Sequence, residues 1–376
     1  MGGLFTLQPF KALYALVAVL FEAMKFPLWI IMYVPAAGRP HKSWTHQQAI
    51  RMKIVKAFLK HSSAVEVKTT LSLAPGSEKT RFVAIEPAHA KYYKGPLDDK
   101  EIRPEKIGCT WTPKPVGKGD VYNPDLDVVL HFHGGAYVIG DGRDHDTGFL
   151  AKTFLKHGKV THVVAPQYRL SSNPGGRFPA AFQDAVTAYA YLIHTLKVPA
   201  DSITLSGDSA GGNLALALLR YIADYGKEVD LPWPGCIWLW SPWVDVEAGR
   251  DPININNSRN ESTDYLGGGF GTWGAESFAP KGKVDSANPY LTPLGNAFKS
   301  KTPIWVQTGD AEVLYDDNVE IASQFKKIAG NKVELEIKEG MPHDIILVGH
   351  ILGFNKEAGQ AAERAGEFLR RERAKM

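Results

Sequence analysis

Gly207-Asp208-Ser209-Ala210-Gly211-Gly212 sits between a short apolar run, residues 202–205, and a strong helix former, residues 213–220. A Gly-x-Ser-x-Gly string in that setting reads as a sharp strand-to-helix turn. Glycine is needed there because a larger side chain would clash, and the central serine is left exposed at the bend. The bare pattern arises readily by chance; the strand before it and the helix after it distinguish this instance. A second string, His133-Gly134-Gly135, follows residues 127–132, an apolar run of the kind buried in a parallel sheet.

Outward from these strings the chain alternates strand and helix. Strands are expected at 65–73, 80–86, 107–112, 127–132, 160–166, 202–205, 235–240, 304–308 and 333–337, with a turn at Pro75-Gly76 and a charged loop over 88–108. Helical patterns fall at 146–157, 180–196, 213–226, 317–329 and 355–374. That alternation predicts an α/β fold, a mostly parallel sheet with right-handed crossovers. Residues 244–290 are rich in Asn, Gly, Ser and aromatics and are too long for an ordinary connection. They read as a lid inserted over the carboxyl ends of the strands, where such sheets bind ligands. The expected division is an N-terminal apolar or lid segment, 1–60, and one catalytic domain, 61–376, carrying that insertion.

With 376 residues and 44% hydrophobic content, the chain can bury one large core. Its 43 basic and 40 acidic residues leave a net charge of +3, which gives no reason to expect a nucleic-acid partner. The two cysteines, Cys109 and Cys236, lie far apart in apolar contexts and read as buried thiols. Residues 12–34 form an apolar segment of spanning length with marginal chemistry. Eleven Leu, Ile, Val or Phe residues gain roughly 3 to 7 kcal/mol on insertion, while Glu22 and Lys25 cost roughly 5 to 7. Pairing of those charges at i,i+3 softens the cost, and Pro27 is expected to kink the helix. The basic residues Arg39, Lys42, Arg51, Lys53, Lys56 and Lys60 follow, where anionic lipid is a natural partner. The reading is a monotopic or weakly spanning anchor at a membrane, the endoplasmic reticulum included. The alternatives are an amphipathic lid helix of a cytoplasmic protein and, with a poorer fit, a cleaved signal peptide.

Acyl transfer needs a nucleophile, a base, a group that orients the base, and donors for the developing oxyanion. Ser209 is the candidate nucleophile. Of twelve histidines, His343 lies in the loop after the last expected strand, in the chain order serine, acid, histidine. The acid falls in Gly309-Asp310-Ala311-Glu312-Val313-Leu314-Tyr315-Asp316-Asp317. Position just past a strand favours Asp310 or Glu312 over Asp316 and Asp317. Backbone N–H groups of Gly134, Gly135 and Ala210 are the expected oxyanion donors.

Together these residues resemble the hormone-sensitive-lipase-like branch of the α/β-hydrolases over about residues 127–350. Tyr168-Arg169-Leu170, Phe178-Pro179-Ala180-Ala181 with Asp184, Ser241-Pro242-Trp243-Val244-Asp245 and Asn288-Pro289-Tyr290-Leu291-Thr292-Pro293 add to the likeness. The resemblance implies an α/β-hydrolase fold with a lid built from the N-terminus and the insertion. It also places the acid on Glu312, because the family's Asp-Pro-Leu-x-Asp-Glu aligns with Glu312-Val313-Leu314-Tyr315-Asp316-Asp317; Asp310 stays as the alternative. Ser171–Arg177 departs from the family's usual Ala-Pro-Glu, a change read as structural. The implied activity is a serine esterase acting on short- to medium-chain esters of a hydrophobic alcohol, of sterol or secondary-metabolite type, as similar fungal proteins do. An acyltransferase or cyclase with the same triad, or a non-catalytic binding protein on this fold, are the rival readings.

Other signals weigh less. Gly269-Phe270-Gly271-Thr272-Trp273-Gly274 matches a dinucleotide fingerprint but follows no expected strand, so no cofactor is expected. His131 and His133 would share one strand face, yet no third ligand has suitable spacing, so no metal is expected. Asn256 and Asn260 open glycosylation sequons in the insertion. Trp238, Trp240, Trp243, Phe270, Trp273 and Phe278 are candidates for lining an apolar substrate pocket or for plain core. Oligomeric state is left open.

Overall fold

Val128–Phe132 is buried at all five positions and pairs in parallel with a strand on each side, which makes it the centre of the sheet. The computed structural model describes residues 3–375. Its strands are β1 (Phe82–Ile85), β2 (Ile107–Thr112), β3 (Val128–Phe132), β4 (His162–Gln167), β5 (Ile203–Asp208), β6 (Cys236–Trp240), β7 (Ile304–Gly309) and β8 (Val333–Lys338). They form one sheet in the order β1-β2-β4-β3-β5-β6-β7-β8. β2 runs antiparallel to both its neighbours, β1 and β4, and all the other neighbours pair in parallel. The helices are α1 (Phe10–Met32), α2 (His46–Ala64), α3 (Asp144–Thr153), α4 (Ala180–Ala190), α5 (Ala210–Val229), α6 (Pro252–Asn256), α7 (Gly268–Phe278), α8 (Tyr315–Lys327), α9 (Ile345–Leu352) and α10 (Asn355–Arg373). Single wide turns, Phe154–Gly158 and Tyr191–Thr195, extend α3 and α4 to nearly the full lengths expected from sequence.

Alternation along each strand divides the core into two layers. Val129, Val163, Trp238, Trp240 and Trp305 point to one face, where Leu150, Phe154, Ala362 and Phe368 of α3 and α10 cover them. Leu130, Leu205, Ile237 and Val306 point to the other, under α4, α5 and α8. Trp238 and Trp240 are therefore core residues, away from any substrate.

Segment 65–73 corrects the sequence reading. No strand forms there, because side chains take up carbonyls that a ladder would use. Asn173 Nδ2 donates to Thr69 O at 2.9 Å, and Arg143 Nη2 donates to Ser72 O and Ala74 O at 2.6 Å each. The sheet edge is β1 instead.

α1 rests on α2 by a narrow stripe. Trp29 and the following Tyr33 pack on Ala49, and Glu22 bonds both Lys25 (2.7 Å) and His61 (3.0 Å). The expected i,i+3 charge pair is present, and the helix continues through Pro27. Ala18 is also buried, and most of the rest, including Leu13, Val19, Met24 and Ile31, is exposed. α1 is long and apolar enough to cross a membrane.

α2 starts at a capping box, Thr45 with Gln48, and joins the core through Met52 and Leu59. Just before it, buried Trp44 donates from Nε1 to Gly340 O at 2.6 Å, tying the N-terminal segment to the loop that carries His343. Trp44→Phe keeps the ring and removes that donor, leaving a buried carbonyl unpaired. It is expected to lower the unfolding free energy by about 1–3 kcal/mol in urea titrations; an unchanged midpoint would deny the tie any weight.

Candidate active site

The Gly-x-Ser-x-Gly turn is compressed. Ser209 has φ 50° and ψ −118°, a region that L-residues rarely occupy. A Cβ on Gly207 would lie 2.0 Å from Gly211 O, and one on Gly211 would lie 1.9 Å from Phe132 O. Both neighbours are backbone and cannot yield, so glycine is required. Three backbone bonds hold the turn. Ser209 N donates to Trp240 O (2.9 Å), and Ser209 O accepts from Trp243 N (2.9 Å) and Asn213 N (3.1 Å). Ala210 opens α5, where N–H groups have no intrahelical partner.

The His133-Gly134-Gly135 loop lies against this turn. A Cβ on Gly134 would come within 3.1 Å of Ser209 Cβ and 2.3 Å of Asp208 Oδ2. Gly135 has φ 103°, and its carbonyl accepts from Val138 and Ile139. His133 anchors the loop. Its ring stacks on Tyr168 at 4.3 Å, its Nδ1 lies 2.7 Å from Gly134 O, and the Tyr168 hydroxyl donates to His133 O at 2.6 Å. His131 is occupied by Asp208 and Ser206. Each imidazole thus has a local structural engagement.

His343 is buried, with Nδ1 3.2 Å from Oε2 of the fully buried Glu312. The other carboxylate oxygen of Glu312 accepts from Thr308 Oγ1 and from Asn318 Nδ2 at 2.9 Å. Asp310 is engaged elsewhere: its Oδ1 accepts from Gly340 N at 2.6 Å and fixes the turn leading to His343. The two candidate acids therefore have separate places, Glu312 on the imidazole and Asp310 on the loop.

Burial pulls the His343 pKa down, but the hydrogen bond and charge of Glu312, with Asp264 and Asp208 adding, outweigh it and raise the pKa above the ordinary imidazole value.

Asp264, in the insertion, carries no local sequence signal of a site role. It is fully buried, its Oδ2 accepts from Val313 N at 2.7 Å, and burial pushes its carboxyl up to about 6. Lys56 of α2 reaches over to Glu261 Oε1 (2.6 Å) and Asp264 O (3.1 Å). Asn260 Nδ2 donates to Asp310 O and Glu312 O at 2.8 Å each. Asn260 is thus a clamp on the acid loop, and Asn256 accepts from Gly268 N. The Asn260 amide nitrogen is thus engaged within the fold, whereas Asn256 is exposed and only its Oδ1 is bonded. The Gly-rich string 269–274 lies inside α7 and opens no strand-to-helix turn.

A cavity of about 20 Å³ adjoins Ser209, lined by Ala136, Trp243, Leu266, Phe270 and Leu314 among others. Trp273 and Phe278 are buried and do not line it; Phe278 stacks on Tyr137 at 3.7 Å. A separate apolar cleft of about 520 Å³ runs between α1 and α2 and shares none of these residues.

Residues 129–347 match the family model for the α/β-hydrolase fold. The chain belongs to the α/β-hydrolase family. An acetyl-hydrolase of Streptomyces hygroscopicus is 30% identical over 256 residues, 65% of this chain and 76% of that one. An ethyl acetate hydrolase of Pseudomonas putida is 29% identical over 62% of this chain and 72% of its own. Among solved structures, a hormone-sensitive lipase from a metagenome library superposes with a TM-score of 0.57 at 27% identity, covering 71% of this chain and 82% of the other. Within the family the chain is a serine hydrolase of the hormone-sensitive-lipase-like branch, acting on carboxylic esters.

A base that must be neutral to accept a proton loses activity as pH falls through its pKa. The acid limb of kcat/KM is therefore expected above the ordinary imidazole pKa of about 6.5. Glu312→Gln removes the charge that raises it, so the limb should move to lower pH while kcat falls roughly 10³- to 10⁴-fold. A limb left in place by Glu312→Gln would detach Glu312 from His343.

Proposed function

We propose that Ser209, His343 and Glu312 form a catalytic triad that hydrolyses short-chain esters of a bulky hydrophobic alcohol through an acyl-enzyme. The buried Glu312–His343 pair is the observation that carries the reading. A carboxylate on Nδ1 selects the tautomer whose Nε2 accepts a proton, and stabilises the imidazolium that results. His343 takes the Ser209 proton as Oγ attacks the ester carbonyl. The N–H groups of Gly134, Gly135 and Ala210 receive the oxyanion, each donor contributing about 3–4 kcal/mol to the transition state. His343 then protonates the departing alcohol, and water repeats the sequence to release the acid.

The small cavity beside Ser209 supports a short acyl group, since about 20 Å³ holds little more than one water-sized group. The names of the two relatives, an acetyl-hydrolase and an ethyl acetate hydrolase, point the same way. For the alcohol, the uncovered apolar face of α1 supports delivery from a membrane. Glu22 turns toward α2, where it bonds His61, and holds Lys25 within α1, which supports a helix lying in the interface over one that spans.

Ser209→Ala is expected to lower turnover of an aryl acetate at least ~10⁴-fold and to abolish fluorophosphonate labelling. Retained turnover would refute the triad. Across aryl esters, kcat/KM should fall steeply beyond a short acyl chain; a preference for long chains would overturn the acyl assignment. Scoring products with added alcohols separates hydrolysis from transfer.

The full chain should float with anionic vesicles and be released by alkaline carbonate. Loss of flotation on replacing Leu16, Leu20 and Met24 by Ser is the expected result. Resistance to carbonate would show a spanning helix instead, and failure to float would remove the membrane from the reading.

A further inference from the structure

The residues next to the proposed nucleophile and base, Asp208 and Asp344, are both acidic and both buried, at 0% and 2% exposure. Asp208 Oδ1 is bonded to His131 Nε2 at 2.9 Å. Its Oδ2 is pressed against Gly134 and, among the described residues, has no hydrogen-bond partner. A buried carboxylate oxygen without a donor is costly unless a proton comes from elsewhere. Asp344 lies alongside: its N donates to Ser241 Oγ, one residue past Trp240, and Trp240 is the cross-strand partner of Asp208, so the two carboxyls share one buried corner.

The surrounding bonds set the direction of the proton. Trp240 Nε1 donates to Ser206 Oγ at 3.1 Å, and Ser206 Oγ lies 3.0 Å from His131 Nδ1. His131 Nε2–H donates to Asp208 Oδ1. Asp208 then remains an acceptor at Oδ2. Asp344 is held on its other sides by backbone: its N donates to Ser241 Oγ (3.1 Å), and its Oδ1 caps α9 by accepting from Leu347 N (3.3 Å). It adopts φ 54° and ψ 54°, a left-handed conformation that Asp and Asn tolerate better than most residues.

We propose that Asp344 is a protonated positioning residue whose carboxyl O–H donates to Asp208 Oδ2, bolting the loop that carries His343 to the turn that carries Ser209. The proposal rests on the triad reading above and adds a device to it. One proton joins β5 to the start of α9, so the nucleophile and base are registered through the residues beside them. The groups that face this carboxyl agree with a neutral Asp344. Burial and the Asp208 charge both push its pKa well up, Glu312 adds to that, and Leu347 N–H opposes it weakly. Tyr265 from the insertion is fully buried nearby and neutral, and burial lowers the pKa of His133, keeping that ring neutral too. On Asp208, burial acts upward, but His131 and the Asp344 hydrogen bond outweigh it and hold the carboxylate ionised.

Asp344→Asn supplies an N–H in place of the O–H and suits the same backbone, whereas Asp344→Ala supplies nothing. The expected result on an aryl acetate is kcat within about 3-fold of the parent for D344N. For D344A the expectation is a 10- to 10²-fold loss in kcat with KM little changed, the scale of a misplacement of about 1 Å. Infrared difference spectra, parent minus D344N at about pH 7, should show the C=O stretch of a protonated carboxyl. That readout stays decisive should D344A fail to fold. Equal activity of D344A and parent, or a carboxylate band in place of the protonated one, would overturn the proposal. Ser209→Ala run in parallel distinguishes the two levels: an active S209A removes the triad itself, while an inactive S209A beside an unaffected D344A removes only the bolt.

Discussion

The site depends on one strained residue. Ser209 is held at positive φ where β5 gives way to α5, a conformation that costs on the order of 1–3 kcal/mol and persists only where the surroundings over-determine it. Here they do. Trp240 at the end of β6, Trp243 just beyond it and Asn213 of α5 supply its backbone partners, and glycines at 207 and 211 allow contacts with Gly211 O and Phe132 O closer than any side chain permits. The same compression brings Gly134 against Ser209 Cβ and sets Ala210 at the open end of a helix. Nucleophile and candidate oxyanion donors are therefore consequences of a single backbone constraint.

The base and acid depend on a different set of ties, and most reach outside the sheet. Gly340, at the head of the His343 loop, is held by Asp310 through its N–H and by Trp44 through its carbonyl. The acid loop is clamped from the insertion by Asn260 and Asp264, and that part of the insertion is clamped by Lys56 of α2. The insertion thus lines the cavity beside Ser209, and the N-terminal segment is tied to the loops that carry the acid and the base.

Much of this was legible in the sequence, for reasons that particular residues make clear. Buried parallel strands announce themselves as short apolar runs, so β3 to β7 were readable, and the Ser209 turn carries its own steric signature. The acid was half legible: residues alone left Asp310 and Glu312 open, and family likeness favoured Glu312. What separates them physically is a long-range fact, that Gly340 N–H lies beside Asp310 while His343 lies beside Glu312. Segment 65–73 misled because its alternation is strand-like, yet Arg143 and Asn173 claim its carbonyls. Asp264 and Asp344 were invisible as site residues, since a carboxylate in a loop reads as a solvated charge until its burial is known.

The central claim is that the Ser209 turn and the Gly134–Gly135 loop form one oxyanion site served by His343. A crystal structure of Ser209 carrying a covalent phosphonate tests it most directly. The expected result is a phosphoryl oxygen within hydrogen-bonding distance of the N–H groups of Gly134, Gly135 and Ala210, with His343 Nε2 beside Ser209 Oγ. A phosphoryl oxygen turned to solvent, or His343 directed away from the adduct, would contradict it.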